Sequence, residues 1–87
     1  MYSILYSPGA RRDLQKLPID VAKRIVTAIR EIQDDPKAHA KKLKGSPKSP
    51  LYSLRIGEYR VIMSIDGDKL IIFVIEVGHR SVIYRKS

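Results

Sequence analysis

Arg55, Arg60, His79, Arg80, Tyr84 and Arg85 are the side chains of this sequence best suited to handling a phosphate. A guanidinium offers a planar fork of N–H donors that can meet two phosphate oxygens at once. A tyrosine adds a ring for stacking and a hydroxyl for orienting. Other chemistries lack their parts. There is no cysteine, which excludes a thiol nucleophile, a thiolate metal site and a disulfide staple. His39 and His79 have no local metal-ligand spacing, and neither a metal nor another cofactor is expected. RIGEYR carries a single glycine at a hairpin turn, so it is no phosphate loop, and nothing resembles a nucleophile elbow. Glu58 and Glu76 lie between the arginines and read better as salt-bridge partners than as an acid/base pair. Two arginines and a tyrosine without such a pair suit a phosphodiester better than an ester or a peptide. A plainer reading of Arg60 stands beside this one: its stem covers apolar surface and its head pairs with Glu58 or Glu76.

The stretch from Leu51 to Tyr84, LYSLRIGEYRVIMSIDGDKLIIFVIEVGHRSVIY, must position these residues. It reads as three strands, over Leu51–Ile56, Tyr59–Ile65 and Lys69–Val77, because β-branched residues dominate and Asp66-Gly67-Asp68 is a hairpin signal. A three-residue loop there would pair Met63 with Ile71, Val61 with Phe73 and Tyr59 with Ile75 on one buried face. The opposite face then carries Arg60, Ile62, Ser64, Ile72, Val74 and Glu76, and Arg80 keeps that parity if the strand runs on. Upstream, Tyr2–Tyr6 reads as a first strand. Ser7 then Pro8 is a helix start, with Ala10, Leu14 and Leu17 on one face and Pro18 as the stop. Val21, Ile25, Ile29 and Ile32 form one stripe of a second helix from about Ile19 to Asp34. Asp35-Pro36 ends this helical hairpin. The expected order is β-α-α-β-β-β, an α+β fold with the hairpin packed on one face of a small, mainly antiparallel sheet.

Eighty-seven residues make one domain, limited to about one sheet and a few helices. Seventeen Lys+Arg against nine Asp+Glu leave a formal charge of +8, which attracts phosphate backbones or an acidic protein. Part of this charge is concentrated in KAHAKKLKGSPKSP, where Lys42, Lys44 and Lys48 are candidate phosphate contacts. The segment reads equally as a solvated linker and as a phosphate-steering loop. No apolar run approaches the roughly 20 residues that span a bilayer, and MYSILYSPGARR has its arginines after the apolar run, the reverse of a secretory signal. No membrane association is expected, and the cytoplasm is the natural location.

The helical hairpin around KLPIDVAKRI, then KKLKG, then LRIGEYRVIMSIDGDKLIIFVIEVGHR and the closing HRSVIY together resemble the RelE/ParE toxin superfamily of toxin–antitoxin modules. The resemblance covers nearly the whole chain, and the HR-xxx-Y ending favours the RelE branch, whose members cleave messenger RNA in the ribosomal A site. It implies attack of an RNA 2′-hydroxyl on the adjacent phosphate, without metal, leaving a 2′,3′-cyclic phosphate and a 5′-hydroxyl. By position, Arg60 of GEYR would stabilise charge on the scissile phosphate. Arg80 would hold that phosphate or assist the leaving oxygen, and Tyr84 would orient the nucleotide. Arg55, His79, Arg85 and the loop lysines would contact RNA. The sequence departs from the best-known RelE pattern at Leu51 and Ser53, where that pattern has lysines. The resemblance also implies a cognate antitoxin with an acidic or amphipathic segment, and the ribosome and mRNA as further partners. Two other functions stay open: inhibition of DNA gyrase, as in the ParE branch, and RNA or partner binding without catalysis.

Overall fold

The computed structural model describes residues 1–43 and 50–81. Strand β1 (Ser3–Tyr6) is followed by helices α1 (Pro8–Gln15), α2 (Ile19–Glu31) and α3 (Pro36–His39), then by strands β2 (Lys41–Lys42), β3 (Leu51–Ile56), β4 (Tyr59–Asp66) and β5 (Ile71–His79). The strands form one sheet in the order β1-β5-β4-β3-β2. Strand β1 runs parallel to β5, and the other neighbours are antiparallel. This is the expected α+β architecture, to which α3 and β2 add two short elements in the stretch read as irregular.

Local chemistry sets the helix boundaries. The Ser7 hydroxyl accepts from Ala10 N–H at 3.0 Å, and Pro8 opens α1 where a missing N–H costs nothing. The helix stops at Gln15, short of the expected Leu17, as Lys16 N–H reaches back to Arg12 and Asp13 carbonyls. Helix α2 likewise ends at Glu31 instead of Asp34. Ile32 and Gln33 donate to Ile29 and Arg30, tightening the last turn into three-residue spacing. Ile25, Ile29 and Ile32 of the predicted stripe are buried, together with Ala10 of α1. They pack on Tyr52, Leu54, Val61, Met63, Ile65, Ile72, Val74 and Val77 of the sheet. Burying each of these aliphatic side chains contributes about 1.5–3 kcal/mol, which makes this face the main source of stability.

The β4–β5 register differs from the expected one. The loop holds four residues, Gly67 to Leu70, and β5 begins at Ile71 instead of Lys69. Asp66 causes the difference. Its Oδ1 accepts from Asp68 and Lys69 N–H, both at 3.0 Å, and Leu70 turns the chain with φ 56°. Met63 therefore faces Val74, Val61 faces Val77 and Tyr59 faces His79. Ile72 and Val74, expected on the open face, are buried against the helices. Phe73, expected in the core, is 37% exposed on the other side.

A bulge reconciles this register with an outward Glu76. Met63 opposes Val74 while the next residue, Ile62, opposes Glu76, so Ile75 is the extra residue. Side-chain parity flips there: Ile72 and Val74 point to the helices before it, Val77 after it. Two side chains from α1 and its cap meet the backbone at the flip. Ser7 Oγ donates to the Ile75 carbonyl at 2.9 Å, and Asp13 Oδ2 accepts from Val77 N–H at 3.0 Å. Asp13 is half-buried in this role.

Candidate functional site

Alternation along β3 and β4 builds the open face. Val61 and Met63 are committed to the core, so Arg60, Ile62 and Ser64 emerge on the side away from the helices. Register places Arg55 directly opposite Arg60 on one flank and Gly78 opposite it on the other. Gly78 brings no side chain of its own to the guanidinium. Arg60 is half-buried, and its Nη1 donates to Ser53 Oγ at 3.3 Å. Ser53 is itself only 4% exposed, so the hydroxyl is a fixed rest for the arginine head. Arg55 is exposed, with Nε donating to the Gly57 carbonyl at 3.3 Å around a turn where Gly57 takes φ 59°. Two like charges directly opposite on adjacent strands repel. An anion lying between or above them removes that repulsion, and so the pair favours a phosphate over a neutral group.

Arg80 is exposed one step beyond β5, its N–H donating to the Glu58 carbonyl at 3.0 Å, and residues 80–81 turn helical. Arg80 thus leaves the strand before alternation assigns it a face. His79 alternates to the side away from Arg60. It opposes Tyr59 in an edge-on ring contact of 5.8 Å and 78°, and its Nδ1 lies 2.8 Å from Ser81 Oγ. The histidine is thus turned from the Arg60 face. Lys42 is turned from it as well, because it opposes the core residue Tyr52. Lys44, Lys48, Tyr84 and Arg85 lie outside the described residues.

Sequence reasoning missed Lys41. It opposes Ser53, which puts it on the side of Arg55 and Arg60. A two-residue strand has no periodicity to read, and only its pairing reveals the face. Glu76 shares that face, opposite Ile62, at a position that tempers the positive charge. Toward β1 the same face becomes apolar, with Leu5 50% and Phe73 37% exposed and directly paired. On the opposite side of the molecule, α1 and α2 form a groove of about 490 Å³ walled by Leu14, Leu17, Ile19, Ala22 and Val26.

The sequence profile of the ParE toxin of type II toxin–antitoxin systems, parDE, matches residues 4–84. The chain is 28% identical over 88 residues to the mRNA interferase toxin RelE of Escherichia coli K12, covering 99% of this chain and 93% of that protein. It is 31% identical over 86 residues to toxin RelG of Mycobacterium tuberculosis, covering 98% of each. Its fold superposes on the toxin in the crystal structure of the RelBE2 toxin–antitoxin complex of M. tuberculosis with a TM-score of 0.79, at 30% identity, over 91% of this chain and 98% of that one. No helix among the described residues is long and apolar enough to cross a membrane. A match across almost the full length, on a sheet that carries the arginine of GEYR, makes this chain a member of the RelE/ParE superfamily of toxins from type II toxin–antitoxin systems.

Proposed function

We propose that this toxin cleaves messenger RNA on the ribosome, by attack of a 2′-hydroxyl on the adjacent phosphate and without a metal ion. The O2′–P bond forms as the P–O5′ bond breaks. The 2′-proton leaves, and the 5′-oxygen takes up a proton. The observation that carries this reading is Arg60. It rests on Ser53 Oγ and stands opposite Arg55, so its head is held before RNA arrives. Preorganised donors aimed at developing charge are commonly the largest single contribution to catalysis. Arg80, one residue past β5 and tied by its N–H to the Glu58 carbonyl, holds the phosphate or assists the leaving oxygen. Tyr84 stacks on the nucleotide and orients it, a role suited to a phenol whose ordinary pKa near 10 makes it a weak base. The mRNA interferase name of the E. coli relative supports the same activity. The partner is an antitoxin with an acidic, amphipathic segment. Its charge meets the cationic half of the open face, and its apolar side meets Leu5 and Phe73.

Expression of the wild type and of Arg60→Ala in translating cells, with mRNA ends mapped, tests the proposal. Wild type is expected to cut, and Arg60→Ala to lose roughly 10²–10³ in rate, the usual effect of deleting one such donor. Intact mRNA under wild-type expression removes the reading. Gyrase inhibition is the second reading, favoured by the ParE description of the matching profile and by the absence of lysine at Leu51 and Ser53. Double-strand DNA breaks with intact mRNA would select it.

A further inference from the structure

We propose that Lys41, and not its neighbour Lys42, extends the Arg55–Arg60 pair into a row of cations across β2, β3 and β4 that binds RNA phosphate. The inference rests on the RNA-cleaving reading above and adds a residue to its site. Consecutive strand residues point to opposite faces. Within β2, Lys41 opposes Ser53 and Lys42 opposes Tyr52. Ser53 carries the Arg60 guanidinium on its hydroxyl, whereas Tyr52 is packed in the helix-covered core. The two lysines are adjacent in sequence and both exposed, yet only Lys41 shares a face with the arginines.

Strands lie about 4.8 Å apart, so Lys41 and Arg60, two strands and two residues removed, have backbones separated by on the order of 10 Å. Two long side chains leaning toward one another close that span around a single phosphate or two successive ones. Beside Lys41, strand β3 presents Ser53 and Leu51, neither of which carries charge, and its one cation on this face, Arg55, lies farther along opposite Arg60. The edge strand therefore supplies the positive charge from beside β3. A flexible ammonium suits this place, since it binds phosphate as a point charge and needs no fixed fork geometry. Lysine on an edge strand has another use, blocking edge-to-edge pairing, but Lys42 serves that use equally. Comparing the two lysines separates phosphate binding from edge protection.

The experiment measures single-stranded RNA binding across a salt series, and mRNA cleavage in a translation extract, for Lys41→Ala, Lys41→Arg, Lys42→Ala and Arg60→Ala, with thermal unfolding to confirm that each variant folds. Lys41→Ala is expected to lower cleavage about tenfold and to reduce the slope of log affinity against log salt by about 0.7, the value of one phosphate contact on a single strand. Lys41→Arg is expected to retain most of both, and Lys42→Ala to lose less than about twofold in either, as no phosphate contact is removed. Equal losses for Lys41→Ala and Lys42→Ala overturn the inference. So does an unchanged Lys41→Ala beside a disabled Arg60→Ala, which leaves the nuclease reading intact. If Arg60→Ala is also harmless, the nuclease reading and the role of Lys41 fall together.

Discussion

The neighbours of Arg60 leave it one direction. Val61 and Met63 are apolar and alternate, so once they face the helices the arginine faces outward. Its rest on Ser53 could not be read, since that contact depends on which residues of β3 and β4 stand opposite. Lys42 and His79 show the limit from the other side. Their residue types suit RNA, but the register turns both to the helix-side parity. Asp66 acts at the far end of the hairpin through its own charge. Backbone N–H donation from Lys69, and then from Asp68, holds its carboxyl below the usual carboxylate range despite some opposing desolvation. A folded-state pKa below the unfolded value means that this contribution is full above the ordinary value and is lost as pH falls through the folded one. The Asp68 and Lys69 amide signals are accordingly expected to titrate together below about pH 4 in NMR spectra. Asp66→Asn is expected to abolish that titration, and amides that stay pH-independent in the wild type would count against the turn assignment.

Among the elements, β5 decides how the site is aimed. Its alternation could not be followed from sequence because IIFVIEV is apolar on both parities, and a single extra residue inverts the pattern halfway along. A parity argument must choose between burying Val74 and exposing Glu76, whereas the bulge at Ile75 allows both. The helical hairpin was readable because the α2 stripe repeats over several turns and Ser7-Pro8 marks its start. What keeps β5 bulged comes from outside the sheet, from the Ser7 hydroxyl and the Asp13 carboxylate. Asp13→Ala removes a charged acceptor from Val77 N–H and is expected to cost about 1.5–3 kcal/mol in denaturant unfolding. It is also expected to weaken the cross-strand NMR contact between Arg60 and Gly78 while sparing that between Ile65 and Ile72. Asp13→Asn, which keeps an acceptor oxygen, is expected to restore most of both. Unchanged Arg60–Gly78 contacts in Asp13→Ala would show that the bulge holds itself.

The whole molecule presents two unlike halves on its open face. Cations on β2, β3 and β4 give way to Leu5 and Phe73 at β1 and β5. Such a face suits two occupants in turn, a phosphate backbone over one half and an amphipathic protein segment over both. The placement of β1 was out of reach of sequence reasoning, because a four-residue strand can join either edge of a sheet. Its parallel pairing to β5 carries a further meaning. The first strand made is hydrogen-bonded in the sheet to the last strand made, and the Ser7–Ile75 link spans 68 positions. Contacts this distant in sequence form late. Nascent chains arrested before Ile71 are expected to leave the amides of residues 3–6 unprotected in hydrogen exchange, with protection appearing only once residue 79 has emerged. The sheet that holds Arg60 is therefore complete only once the earliest and the latest of its strands among the described residues have met.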